Sequence, residues 1–141
     1  MKAISLLFLR VSTALLIIIW GLVKVRAPEK AIGVSEKYYG GAVSAEMLQM
    51  PWGLFQLAVG ALVILGLFRR FAYPLQAAIL CLGALVIWNH LLDPFGLYLF
   101  AEKGGANILF FPSLCLAAAT LVIWAFRDED TLSLDAMRRK D

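Results

Sequence analysis

Long apolar runs dominate this chain and alternate with short polar segments. Three runs, Met47–Phe68, Phe71–Leu92 and Gly104–Phe126, contain no charged residue. A fourth run, Ala3–Val23, is interrupted only by Arg10. A helix that crosses the hydrocarbon core of a bilayer needs about 20 residues, so each run is long enough. Helices are expected because backbone polar groups in lipid must be satisfied within the segment.

The pattern therefore predicts an all-α integral membrane protein, a bundle of four transmembrane helices. We expect spans at about 4–24, 52–69, 74–92 and 107–126, which make residues 1–126 one transmembrane domain. Residues 127–141 are polar and are expected to form a cytoplasmic tail that is partly disordered or lies on the surface. The first span is expected to be retained, because it ends in basic residues and lacks a small-residue cleavage site.

Basic residues in the loops indicate the orientation of the predicted bundle. Arg69 and Arg70 form the short link between spans two and three. The positive-inside rule puts such a link on the cytoplasmic side, and both termini then share that side. In the first outer loop, the stretch from Ser44 to Pro51 is compatible with a helix and predicts a short interfacial helix.

Composition supports the membrane interpretation and narrows the chemistry. Of 141 residues, 62% are hydrophobic and 16% are charged, against about 25% charged in an average soluble domain. The net charge is +3 with no basic patch interleaved with aromatic residues, so nucleic acid is not an expected partner. Cys81 and Cys115 lie inside apolar runs, as buried reduced thiols or as a redox pair across two helices. No metal site is expected from one histidine and two distant cysteines.

Polar residues gather at one end of the predicted bundle. When the spans alternate in direction, five polar side chains reach the outer level, and they come from all four spans. These residues are Lys24, Gln56, Asn89, His90 and Asn107, and the aromatic residues at the same level are Trp20, Trp52 and Trp88. The arrangement predicts a pocket for a polar head on an apolar body, with quinone as the candidate cofactor. The alternative is that these residues mark hydrated span ends and an aromatic belt.

Arg10 and His90 each allow more than one interpretation. Arg10 lies about two turns from the cytoplasmic end of span one. Its long side chain can reach the headgroups, pair with another side chain, or line an inner site in the bundle interior. His90 is the only histidine, it can exchange a proton near neutral pH, and it can pair with Asp93 about one helical turn later.

Short motifs along the chain resemble those of a known family. The first span, "LRVSTALLIIIWGLVKV", contains Arg10, Gly21 and Lys24. The second, "GLFQLAVGALVILGLFRR", has Gly60 and Gly66 before a basic turn, and the tail contains "LSLD". Together these segments resemble the DoxX family of small membrane proteins, and the likeness extends over nearly the whole chain.

The resemblance implies a four-helix integral protein of the prokaryotic inner (plasma) membrane. The family takes its name from a small subunit of a thiosulfate:quinone oxidoreductase, and other members are linked to redox stress or detoxification. Arg10 and Lys24 match by position and are carried over as candidate site residues. The family often has an acidic residue where Gln56 stands, so a role that needs a carboxylate there is not expected.

The function favoured at this point is a redox-associated accessory subunit that binds quinone or a similar amphiphile. This description fits a subunit of a membrane oxidoreductase better than a self-sufficient enzyme. Its partners would be the lipid bilayer, membrane or soluble redox subunits, and further copies of the chain through small-residue helix faces. One alternative is a non-catalytic scaffold that anchors soluble enzymes through the tail. Another is a small transporter subunit, which would need a polar cluster around Arg10.

Overall fold

The computed structural model describes residues 1–41, 44–92 and 112–138, and all regular structure within them is helical. The helices are α1 (Lys2–Arg26), α2 (Pro28–Tyr38), α3 (Glu46–Leu65), α4 (Arg69–Val86), α5 (Trp88–Leu92), α6 (Pro112–Ala125) and α7 (Leu134–Arg138). A 3-10 turn at Arg127–Glu129 connects α6 toward α7.

Close backbone contact joins α1 to α3. A Cβ atom on Gly53 would lie 2.9 Å from the carbonyl oxygen of Gly21, and one on Gly60 would lie 2.5 Å from the side chain of Ile18. Lipid supplies no hydrophobic driving force between helices, so small residues that allow such approach are what packing in a membrane requires. α4 packs along α6 as the second main helix pair.

The helices alternate in direction, which gives the bundle two distinct ends. At one, Lys2 forms an ion pair with Glu129 and Arg10 forms another with Asp130, so the start of α1 lies beside the residues that follow α6. We name this the tail end. The opposite end, named the loop end, contains α2 and α5, where the rings of Tyr38 and His90 meet edge to face at 5.6 Å between centroids.

Polar residues are buried in this bundle beside an apolar core, and many large apolar residues are exposed on its outside. The buried polar residues include Arg10, Thr13, Gln49, Gln56, Arg69, Gln76, Thr120 and Asp130. Large side chains exposed on the four long helices include Phe8, Leu15, Ile19, Leu54, Phe55, Leu82, Leu85, Leu121 and Val122. An apolar surface of this extent needs a partner or a lipid environment.

Among the described residues, two helices, α1 and α3, are long and apolar enough to cross a membrane. The predicted spans differ from the helices mainly at their ends. α3 covers Glu46–Leu65 and stops before residue 69, because Gly66 ends it in the left-handed conformation with φ 65°. α4 begins at Arg69, five residues earlier than predicted, and ends at Val86, after which α5 is a separate short helix. Residues 107–111 of the predicted fourth span lie outside the described residues.

A short helix lies in the first outer loop, as predicted, but its predicted position from Ser44 is wrong. The residues after Ala45 belong to α3, which runs through Pro51 without interruption. Pro51 is the sixth residue of α3, beyond the first turn, so its missing N–H group costs the helix one internal hydrogen bond. The short helix of the first loop is instead α2, which begins where Ala27 leaves the helical conformation and Pro28 occupies the first turn.

Candidate functional site

A cavity of about 470 Å³ lies in the half of the bundle toward the loop end. All four long helices and α2 contribute to its wall. The described lining residues include Leu16, Trp20, Lys24, Ala31, Val34, Ser35, Tyr39, Gln49, Trp52, Phe55, Gln56, Leu75, Ala78, Leu82, Gly83, Val86, Ser113 and Leu116. This volume is in the range of small-molecule sites in proteins, which is about 300–1,000 Å³.

Four of the residues singled out from the sequence meet at this cavity. Lys24 and Trp20 come from successive turns of α1, and Trp52 and Gln56 from successive turns of α3. The packing of Gly21 against Gly53 brings these two faces to the same level. The predicted convergence of α1 and α3 at one depth is therefore present in the structure.

The other outer residues of the prediction are placed differently. Trp88, Asn89 and His90 belong to α5, and none of them is among the described lining residues of the cavity. Trp88 is exposed, and Asn89 and His90 are half-buried. Asn107 and the proposed ion-pair partner Asp93 lie outside the described residues. A ligand-binding role for these residues stays a prediction.

Lys24 has an unusual setting. Its ammonium group lies 5.2 Å from the ring centroid of Trp20, within the range of a cation–π interaction. The side chain is half-buried in the cavity wall. Among the described residues, no carboxylate forms an ion pair with it. Of the described lining residues, Lys24 is the only charged one.

Gln56 lies close in sequence to the aromatic pair Trp52 and Phe55, whose rings stack at 5.2 Å. It is 6% exposed, and no described residue forms a hydrogen bond to its Oε1 atom. A buried acceptor without a donor loses free energy of hydration that no described residue restores. This oxygen is suited to a ligand group that donates a hydrogen bond.

Sequence reasoning missed the lining residues that α2 contributes. Ala31, Ser35 and Tyr39 line the cavity from the loop end, and Gln49 lines it from α3. Burial raises the pKa of the Tyr39 phenol, so the hydroxyl group remains a donor at neutral pH. The spacing of four residues between Ala31, Ser35 and Tyr39 is a helical signal within a segment that otherwise reads as a loop.

A second polar cluster lies at the tail end, and Arg10 is its centre. Arg10 is 2% exposed, so it does not reach toward the headgroups. Its Nη1 atom lies 2.5 Å from Asp130 Oδ2 and donates to the Tyr73 hydroxyl at 3.3 Å. The Tyr73 hydroxyl in turn donates to the same Asp130 oxygen at 2.6 Å. Of the alternatives for Arg10, pairing with another side chain in the bundle interior is the one observed.

The residues after α6 are held against the surface of the bundle. Arg69 Nη1 donates to the carbonyl oxygens of Arg127 and Asp130. The backbone N–H of Arg69 donates to Asp135 Oδ2 at 2.9 Å, which places a carboxylate at the start of α4. Carboxylates at this position stabilise a helix through its unpaired N–H groups and its dipole.

Gly66 allows the tail to dock. A Cβ atom at this position would lie 2.4 Å from Ser133 Cβ and 2.8 Å from Arg10 Nη1. The carbonyl oxygen of Gly66 accepts a hydrogen bond from the backbone N–H of Asp135 at 3.2 Å. The glycine that ends α3 is thus also the contact point for the "LSLD" segment.

The two cysteines are free thiols in different environments. Cys81 is half-buried, while Cys115 is exposed on α6, so the expectation that both are buried is wrong for Cys115. The described residues contain no group of three or more metal-binding His, Cys, Asp or Glu side chains.

Comparisons with models of known protein families, with characterised proteins and with solved structures found no match. The likeness to the DoxX family therefore rests on the sequence segments alone. Those segments coincide with contacts that hold the bundle together, since Gly21, Gly60 and Gly66 occupy close approaches and Arg10 binds the tail.

Proposed function

We propose that this protein is a four-span membrane protein that binds a lipid-soluble amphiphile in the cavity of its loop half. The observation that carries the proposal is the composition of the cavity wall. Polar groups lie toward the loop end, at Lys24, Ser35, Tyr39 and Gln49, and the rest of the wall is mainly apolar. A molecule with a polar head and an apolar body fits such a wall.

Placement in a membrane is supported by the many large apolar side chains on the outside of the bundle and by the length of α1 and α3. We infer that α4 and α6 cross the bilayer as well, since they pack beside α1 and α3 with an equally apolar outer surface. The Arg69–Arg70 link and the tail share one end, which the positive-inside rule assigns to the cytoplasm. The membrane in question would be a prokaryotic inner membrane, as the family resemblance implies.

A ligand that reaches the cavity from the bilayer has an entrance along α3 and α4. Trp52 and Phe55 of α3 line the cavity and are also exposed, as are Leu75, Leu82 and Val86 of α4. The cavity therefore reaches the apolar surface along these two helices, an opening that we name the side opening. An apolar tail can remain in the side opening while the head lies near Lys24 and Gln56.

Quinone is one amphiphile of this shape, and with quinone bound the protein would act as an accessory subunit of a membrane oxidoreductase. The described part of the cavity contains no histidine, cysteine or carboxylate in its wall. Binding and presentation of a ligand are therefore better supported than self-sufficient catalysis. Its redox partners would be membrane or soluble subunits.

Native mass spectrometry of the gently solubilised protein tests the proposal. The wild-type protein should carry an amphiphile of defined mass. Gly83→Leu should remove that mass, because Gly83 lines the cavity and a Cβ atom there meets no other atom within 4 Å. The new side chain can fill the cavity without disturbing the backbone.

Ala118→Leu is the matched control, since Ala118 is exposed on α6 and does not line the cavity. The control should keep the bound mass. An empty wild-type protein, or equal occupancy in both variants, would contradict a ligand site in the cavity. A bound mass that is a lipid without redox chemistry would contradict the quinone assignment only.

Of the two alternative functions, scaffold and transporter subunit, one observation favours the transporter. The tail half does contain the polar cluster around Arg10 that a transport path would need. In that cluster, however, Arg10, Tyr73 and Asp130 bind one another, and the tail covers it. Ligand binding in the cavity therefore remains the better supported function. The scaffold alternative loses support, because residues 127–138 contact the bundle itself.

A further inference from the structure

Among the described residues that line the cavity, one charged side chain, that of Lys24, has no ion-pair partner. Lys24 is half-buried, and among the described residues no acidic side chain lies within ion-pair distance of it. Other buried cations of the described chain are paired, as Arg10 is with Asp130 and Arg69 with Asp135. An ammonium group that is partly removed from water needs a compensating charge or strong acceptors.

The ring of Trp20 compensates only part of this cost. A cation–π contact at 5.2 Å is a weak interaction compared with an ion pair. At the same end of the cavity the hydroxyl groups of Ser35 and Tyr39 can donate hydrogen bonds. A cation beside neutral hydroxyl groups, and without a described carboxylate, forms a site for a negatively charged oxygen.

We propose that the ligand head is anionic, a carboxylate or a phosphate on a long apolar chain. This inference rests on the proposed function that the cavity binds an amphiphile, and it specifies the chemical class. The head pairs with Lys24 and accepts a hydrogen bond from the hydroxyl of Tyr39. The chain follows the apolar wall toward the side opening, where the exposed residues Phe55 and Leu82 contact lipid.

Fluorescence quenching by brominated amphiphiles tests the charge of the head. The protein is placed in nanodiscs of phosphatidylcholine, with Trp88→Phe and Trp124→Phe, so that emission comes from Trp20 and Trp52 in the cavity wall. Brominated stearic acid should quench this emission in a saturable way. Brominated stearyl alcohol and a neutral quinone should bind at least about tenfold more weakly.

Lys24→Met should weaken binding of the acid about tenfold or more and weaken binding of the alcohol much less, and the retained alcohol binding also reports that the variant is folded. Lys24→Arg should retain the preference for the acid. Lys30→Met is the matched control, since Lys30 is an exposed lysine of α2 outside the cavity wall, and it should behave as the parent protein. Competition by phosphatidylglycerol would assign the anion to a membrane lipid, and its absence would assign it to a free carboxylate.

Equal binding of acid, alcohol and quinone, with no effect of Lys24→Met, would overturn the anionic assignment and leave the proposed function standing. Failure of all three amphiphiles to quench would instead contradict the proposed function. The two failures are therefore distinguishable in one series of titrations.

Discussion

Arg10 and Lys24 are two cations on one helix with opposite settings. Arg10 is fully buried and holds Asp130 and Tyr73 at hydrogen-bond distance. Lys24 is half-buried, and the ring of Trp20 is the only described group that interacts with its ammonium charge. Arg10 therefore stabilises the fold, whereas Lys24 is available to bind a ligand. The difference follows from the partners each meets, since both residues lie in the same apolar run.

Removal of the Asp130 charge should destabilise the protein. In Asp130→Asn, Arg10 keeps its burial and loses its counter-charge, so the free energy of unfolding should fall by about 3–5 kcal/mol. Thermal and denaturant unfolding in detergent measure the change. Asp128→Asn is the control, because the Asp128 side chain is 76% exposed, and it should change stability by less than about 0.5 kcal/mol. Equal effects in both variants would contradict a structural role for the buried pair.

At the scale of elements, the link between α3 and α4 has a larger role than its length suggests. Gly66 ends α3, Arg69 begins α4, and the tail binds both. The end of α3, the start of α4 and the position of the tail therefore depend on one short stretch of backbone. Phe68 also adopts a positive φ of 50° there, which is uncommon for a bulky residue and shows how tightly the chain turns.

Substitution of Gly66 tests this dependence. Gly66→Ala would place a methyl group 2.4 Å from Ser133 Cβ in a left-handed backbone conformation. The free energy of unfolding should fall by at least about 1–2 kcal/mol, and proteolysis after residue 126 should become faster. Gly33→Ala in α2 meets nothing within 4 Å and should be neutral or stabilising by about 0.5–1 kcal/mol. A neutral Gly66→Ala would show that the tail does not need this close approach.

Much of the element order could be predicted from hydrophobic runs, because each run marks a segment that is removed from water. The sequence could not reveal the partner of Arg10, since Asp130 lies 120 residues away in a segment that reads as a polar tail. The sequence also did not reveal the position of α2, because its apolar face is narrow and its charged residues resemble those of a loop. Of the site, Lys24, Trp20, Trp52 and Gln56 were predictable from helix direction. The roles of Tyr39 and Gln49 depend on packing that periodicity does not encode.

At the scale of the whole molecule, the two halves of the bundle have different properties. The tail half is filled by side chains that bind one another, and Gln76 also donates to Thr13 there at 2.9 Å. The loop half contains the cavity and the side opening. Ligand exchange can therefore take place in the loop half while the tail half keeps the helices in register.

The proposed orientation predicts which residues a membrane-impermeant maleimide can label. In a background with Cys81→Ser and Cys115→Ser, Lys30→Cys at the loop end should be labelled in intact cells. Asp128→Cys at the tail end should be labelled only after the membrane is opened. Both positions are exposed, so accessibility within the fold is matched. The reverse pattern would contradict cytoplasmic termini, and labelling of both in intact cells would contradict a membrane between the two ends.

The distance in sequence between Arg10 and Asp130 has a consequence for biosynthesis. Synthesis proceeds from the N-terminus, so Arg10 is made long before the carboxylate that pairs with it. During that interval the first helix carries a charge whose counter-charge does not yet exist. A nascent or truncated chain that ends before residue 130 keeps this charge uncompensated and should therefore be less stable than the complete chain.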